Sequence, residues 1–208
     1  MMDQSQAWVA AERLDVSRES WERIEAFVAL LLTWQARINL ISPASIPDIW
    51  ERHVIDSLQL LPLLPKDITA FADLGSGSGF PGVPLAIATG ASVQLYESNG
   101  KKAAFLREAL RQTATSGVVH NTRLEDIGKG TLPAVQAVTA RALAPLPLLL
   151  DWASPFLTCG IPGFFHKGQD VDAELTQAAK YWRIQSRSHK SLTDSRAVIL
   201  EVEEVAHV

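Results

Sequence analysis

The chain has 208 residues, 47% of them hydrophobic and 20% charged, with six tryptophans and a formal net charge of −4. That length supports one compact domain with a real core, and the composition excludes a disordered or fibrous chain. The single cysteine, Cys159, excludes an internal disulfide and a cysteine metal cluster, no apolar run reaches the roughly 18 residues of a membrane span, and the N-terminus lacks a basic-then-apolar signal pattern, so a cytoplasmic monomer without a metal site is expected.

Helices come first. From Ser17, a candidate N-cap, Trp21, Ile24, Val28 and Leu31 recur at steps of three and four and predict a helix to about Ile38. A second helix is predicted from Ser45, with Pro47 in its first turn, Asp48 in capping-box position and Ile49, Val54, Leu58 and Leu61 facing inward, to end near Pro62 to Pro65. Residues 1–66 thus read as a helical cap, and 67–208 as the main domain. In that domain, short β-rich runs alternate with helical ones. Strands are expected at Ile68 to Leu74, Ser92 to Tyr96, Val118 to His120, Val135 to Thr139, Gly163 to His166, Ile184 to Ser188 and Ala197 to Val205. Helices are expected from Pro81, from Lys101 to about Thr113, at Leu146 to Leu157 and at Asp170 to Tyr181. The pattern is that of an α/β fold with a mostly parallel, Rossmann-like sheet, closed by an antiparallel pair formed by the last two strands. Two basic clusters stand out, Lys101, Lys102, Arg107 and Arg111, then Arg183, Arg187, His189, Lys190 and Arg196. The acidic net charge argues against a nucleic-acid partner, and solvation of a helix or strand face explains either cluster equally well.

The chemistry centres on "DLGSGSGFPG", residues 73–82, between the first strand and the following helix. Glycines there let the backbone approach a ligand, and the helix offers free N–H groups. Gly77, Gly79 and Gly82 satisfy the dinucleotide spacing G-x-G-x-x-G, and Glu97 lies at the end of the next strand, where a ribose-binding acid belongs. Asp73 opposes a dinucleotide: a carboxylate at 4 Å would repel a pyrophosphate by roughly 4 kcal/mol at an effective dielectric near 20. S-adenosylmethionine carries no phosphate and two cations, so Asp73 favours it. Gly79 and Gly82 serve helix–sheet packing equally well, and Asp73 a helix N-cap.

The acceptor is narrowed by what is missing. Pyrimidine C5 methylation needs a cysteine nucleophile, and Cys159 reads as a small core residue. The Asp/Asn-Pro-Pro-aromatic turn that goes with amine methylation is replaced by "TARALAPL" after the fourth strand. A ribose hydroxyl needs a base and an acid; Lys167 is available, but Arg141 stands where the acid belongs. Guanine N7 fits what remains, because its lone pair is free and no proton has to leave before attack. A small-molecule methyltransferase and a non-catalytic module that binds S-adenosylmethionine stay open, with a nicotinamide oxidoreductase behind them.

The segments "WQARINLIS" (34–42), "ERHVIDSLQLLPLL" (51–64), "ADLGSGSGFPGVPLAI" (72–87), "ESNGKKAAFLRE" (97–108), "TRLED" (122–126), "TARALAPL" (139–146) and "HKG" (166–168) occur in that order. Together they resemble the GidB family of bacterial small-subunit rRNA guanine-N7 methyltransferases over about residues 20 to 170. The resemblance implies a class I S-adenosylmethionine-dependent methyltransferase fold with an N-terminal helical extension, acting on a guanine of the 530 loop in 16S rRNA or the 30S subunit. It places Gly75 and Phe80 at the methyl donor, Leu124 and Glu125 around its adenine, and Arg141 in the pocket; the glycine loop and the end of the next strand add Asp73, Gly77 and Glu97 at the donor, and Arg141 and Phe80 are candidates for positioning the substrate base. Glu97 stands where relatives often have aspartate; both acids can take a ribose diol. His53 and Asp56, one helical turn apart, form either a dyad facing the pocket or a tie between helices and sheet.

Overall fold

The computed structural model describes residues 2–208. Seven strands form one sheet in the order β3-β2-β1-β4-β5-β7-β6. They are β1 (Ala70–Leu74), β2 (Ser92–Tyr96), β3 (Gly117–His120), β4 (Val138–Arg141), β5 (Gly163–Lys167), β6 (Trp182–Lys190) and β7 (Val198–His207). The first five run parallel, and β7 pairs antiparallel with both β5 and β6. The expected antiparallel pair therefore enters the sheet through its second member.

The parallel strands are short and apolar because both faces are covered. Their two-residue period sorts side chains between two cores. Phe71, Val93, Leu95, Phe164 and Ile199 point to one, while Ala72, Leu74, Tyr96, Phe165 and Leu200 point to the other. The second core is roofed by α6 (Leu146–Leu157) and α7 (Val171–Ala178), and the first by α4 (Gly82–Thr89) and α5 (Gly100–Gln112). The helical extension packs over the first. Its long helix α2 (Arg18–Gln35) is capped by Ser17, and Trp21, Ile24, Phe27 and Leu31 are buried. Phe27 and Trp34 meet Phe105 of α5, Ser20 Oγ donates to the Ile87 carbonyl, and Arg23 Nε donates to the Thr113 carbonyl at 2.8 Å. The described residues of the helical extension thus share one core with α4 and α5. Among the described residues no helix is long and apolar enough to cross a membrane.

The structure corrects four expectations. Helix α1 (Gln4–Glu12) was not expected, since only Ala7 and Ala11 are buried; its sequence signal is the Asp3/Gln6 capping box, closed in both directions. Ser45 does not cap a helix: it ends a 3-10 turn, Pro43–Ser45, and helical structure resumes as a π-helical turn, Trp50–Ile55, that runs into α3 (Asp56–Leu58). The fourth strand begins three residues late because β1 pairs Ala72 with Val138 and Leu74 with Ala140, which puts Arg141 in its last position. Cys159 follows α6 and is exposed, so it is no core residue.

Candidate functional site

The carboxyl ends of β1, β2 and β4 open on a cavity of about 700 Å³, placed as ligand sites are in open α/β sheets. One wall is the turn after β1. Ser76 N–H donates to the Tyr96 carbonyl at 2.9 Å, and Gly79 N–H to the Ser76 carbonyl at 2.7 Å. Gly75 and Gly77 have φ of +65° and +53°, a region that side chains disfavour, and both line the cavity. A Cβ on Gly75 would lie 2.3 Å from Leu143 Cδ1, while one on Gly77 would meet nothing nearer than 3.6 Å. Gly79 and Gly82 serve packing. A Cβ on Gly79 would press on Val83, Phe27 and Leu106, and one on Gly82 on Leu95 and Asp73.

Glu97 is buried at the end of β2, its Oε2 accepting from Gly77 N–H at 2.9 Å and its Oε1 from Asn99 N–H at 2.6 Å. Those two amides hold the charge against the cavity wall and leave each oxygen a further lone pair. Leu124 and Glu125, in the 3-10 turn after β3, form the facing wall.

Asp73 is not in that wall. It shares the strand face of Phe71, so its side chain runs toward α4 beneath the glycine turn and is fully buried. Thr139 Oγ1 donates to its Oδ1 at 2.7 Å, whereas Oδ2, beside Gly82, has no hydrogen-bond partner. Burial outweighs Thr139 and raises its pKa to about 6. The expectation that Asp73 faces the donor's cations is therefore replaced: its main-chain carbonyl accepts from Ser76 Oγ at 2.9 Å, and it supports the turn from below.

Across the cavity, Arg141 gathers the residues that the sequence left ambiguous. Its Nη1 donates to the Arg52 carbonyl at 2.9 Å and to Asp56 Oδ2 at 3.1 Å, and its Nη2 lies 2.8 Å from His53 Nδ1. Burial first, then the Arg141 charge, lowers the His53 pKa to about 4. The neutral ring accepts from Arg141 through Nδ1, which leaves Nε2–H to donate to Ser45 Oγ at 2.9 Å, and Ser45 in turn donates to the Ser42 carbonyl. His53 also stacks on Phe80, with centroids 5.1 Å apart and planes at 23°, and the Arg141 guanidinium carbon is 5.3 Å from the same ring. Phe80, 4% exposed and edge-on to Phe27, is thus largely enclosed by protein groups. Asp56 Oδ1 accepts from Gln59 Nε2 and from Thr193 Oγ1, both at 2.7 Å, and His166 Nε2 lies 2.7 Å from the Asp56 carbonyl. His53 and Asp56 both line the cavity and both tie the helices to the sheet, through Arg141.

Sequence reasoning missed Ser45, Gln59, Thr139 and Thr193 as supports; spacing carries no signal for contacts that join residues up to 137 positions apart. Lys167 pairs with Glu174 Oε2 at 2.5 Å and donates to the Ala144 carbonyl. Among the described residues no group of three metal-ligating side chains occurs.

Solved structures share the fold. An O-methyltransferase from Bacillus cereus in complex with SAH aligns with a TM-score of 0.58 at 14% identity, covering 86% of this chain and 91% of that one. M. jannaschii TYW2 in complex with AdoMet aligns at 0.56 and 15%, covering 83% and 80%. The profile of the family described as "GidB: rRNA small subunit methyltransferase G" matches residues 20–202. The chain belongs to this family. Among its GidB relatives, the Ribosomal RNA small subunit methyltransferase G of Rhodopseudomonas palustris (strain BisA53) is 54% identical over 203 residues, covering 94% of this chain and 86% of the relative. The protein of that name from Bradyrhizobium sp. (strain ORS 278) is 49% identical over 192 residues, covering 90% and 86%. The match extends past residue 170, where the motifs fade, to residue 202 within β7. Membership in the GidB family makes the protein a methyltransferase of small-subunit rRNA.

Proposed function

We propose that the protein transfers the methyl group of S-adenosylmethionine to N7 of a guanine in the 530 loop of 16S rRNA. The observation that carries the reading is that His53, Asp56 and Lys167, the candidate bases around Arg141, are each held by protein partners. His53 uses both ring nitrogens, Lys167 is ion-paired, and Asp56 accepts from three side chains. A ribose hydroxyl or an amine would need a base; N7 attacks through a free lone pair and needs only alignment.

The residues present fit the donor. Gly75 and Gly77 hold the backbone open, Glu97 offers two fixed carboxylate oxygens to a ribose diol, and Leu124 and Glu125 frame the place of the adenine. Bound there, S-adenosylmethionine supplies a methyl group on a cationic sulfur. Arg141 keeps one Nη2–H and its Nε–H for the substrate, with its orientation fixed by Asp56, His53 and the Arg52 carbonyl. The base must leave its stack to reach this depth.

The test is transfer of labelled methyl to small-subunit rRNA from cells lacking this gene, offered as naked RNA and as 30S particles, with the nucleoside identified by mass spectrometry. Label in 7-methylguanosine at one position of the 530 loop is expected. Label on a ribose, an exocyclic amine or another loop would overturn the assignment.

A further inference from the structure

Among the described residues, nine of the 19 lysines and arginines donate no side-chain hydrogen bond and form no ion pair, and they are not spread evenly. Five of them, Arg37, Arg52, Lys101, Lys102 and Arg123, line the main cavity or the smaller hollow of about 300 Å³ that adjoins it through Lys102. Elsewhere several basic residues meet carboxylates, Arg18 with Glu22, Arg111 with Glu108, Lys129 with Asp126, and on the last hairpin Arg187 with Glu203, His189 with Glu201 and Arg196 with Asp194, while the other four unpaired ones, Arg13, Lys66, Arg183 and Lys190, are scattered. In the hairpin cluster three of five basic residues face carboxylates, whereas at the start of α5 neither Lys101 nor Lys102 does.

The positions of Lys101 and Lys102 oppose helix stability. They occupy the first turn of α5, which contains no acidic residue, where the helix dipole is positive and favours anions. Asn99 caps that turn by accepting from both their amides, so the helix end presents positive charge and no carboxylate. Arg37 and Asn39 reach the same hollow from the segment after α2. All of these except the half-buried Lys102 are exposed.

We infer that Arg37, Asn39, Lys101, Lys102 and Arg123 form the surface that grips the phosphates of the RNA strand flanking the target base. The inference rests on the functional reading above and deepens it, since an acidic protein acting on RNA has to concentrate its unpaired cations where the strand enters. Phosphate contacts of this kind set position and affinity and leave base choice to the cavity. The hairpin β6–β7, whose basic residues line neither the main cavity nor the smaller hollow, is outside the docking face.

The experiment compares two variants with the wild type, Arg37→Gln/Lys101→Gln/Lys102→Gln and the control Arg183→Gln/Arg187→Gln/Lys190→Gln. Binding to a 530-loop RNA hairpin is read by fluorescence anisotropy across a salt series, with KM for rRNA, S-adenosylmethionine affinity and thermal stability alongside. The first variant is expected to lose at least tenfold in RNA affinity, with the salt slope falling by about 2, at about 0.7 for each lost contact to a single strand. Its donor affinity stays within twofold and its melting temperature does not fall, because like charges have left a helix start. The control keeps wild-type RNA binding. Equal losses in both variants, or wild-type affinity and slope in the first, would overturn the inference. A wild-type protein that binds the hairpin but methylates no rRNA would remove the functional reading, and the comparison of the two variants would still decide the surface.

Discussion

Asp73 lets a buried carboxylate report on the foundation of the glycine turn. Replacing it with asparagine keeps the shape and removes the charge. In the folded protein its pKa is raised from 3.8 to about 6, burial being the largest cause. A folded-state value above the unfolded one means that the folded chain holds the proton more tightly. The stability this confers is complete below about pH 3.8 and is lost as pH rises through 6. A shift of this size, at about 1.4 kcal/mol for each tenfold change in proton affinity, corresponds to about 3 kcal/mol. Wild type and Asp73→Asn should be unfolded in urea at intervals from pH 4 to 8. The stability of the wild type relative to Asp73→Asn is expected to fall by about 2 kcal/mol of that total between pH 4 and 7 and then level off. A difference that stays flat, or that grows with pH, would refute the claim that the charge at Asp73 is buried without adequate compensation.

Gly82→Ala should destabilise the fold by about 1–3 kcal/mol as an overpacked site, because its Cβ would stand 2.7 Å from Leu95 Cδ2 and 2.8 Å from Asp73 Oδ2; thermal melting checks this. Gly75→Ala should cost only about 1–2 kcal/mol of stability for its positive φ, yet by displacing Leu143 into the cavity it should weaken S-adenosylmethionine binding at least tenfold by calorimetry. Arg141→Lys is expected to lower kcat for rRNA at least a hundredfold and to cost about 1–3 kcal/mol of stability by thermal melting, since a lysine cannot reach Asp56, His53 and the Arg52 carbonyl together. His53 should show no titration between pH 5 and 8 by NMR. Arg141→Ala should move its pKa up toward 6.5 by removing the second cause of its depression.

Much of the fold was legible in the sequence because its signals are local. Strand β2 and helix α6 fall where the residues placed them, since polar–apolar alternation and a proline-led apolar stretch need no distant partner to be read. Helix α1 escaped because a nine-residue helix burying two alanines lacks an apolar stripe. The segment 45–58 was misread because a helical period cannot distinguish an α-helix from a 3-10 turn followed by a π turn, and in that irregular stretch the chain brings Ser45 within reach of His53.

For the site, the sequence by itself determined the chemical class. Glycines at positive φ after a strand, an acid one strand later and an arginine at the end of the fourth strand are needs of backbone conformation and charge that residue types declare directly. Tertiary structure decided which of those groups face the cavity. Asp73 and Glu97 are both acids at the ends of neighbouring strands, yet the pleat and the register send Asp73 beneath α4 and leave Glu97 in the wall. Only the folded chain shows Arg141 joined to Asp56 and Asp56 to Thr193, or Arg187 paired with Glu203 while Lys101 and Lys102 stay unpaired at the cavity mouth. A charge's role depends on what lies within a few ångströms of it, and for these groups those neighbours come from distant parts of the chain.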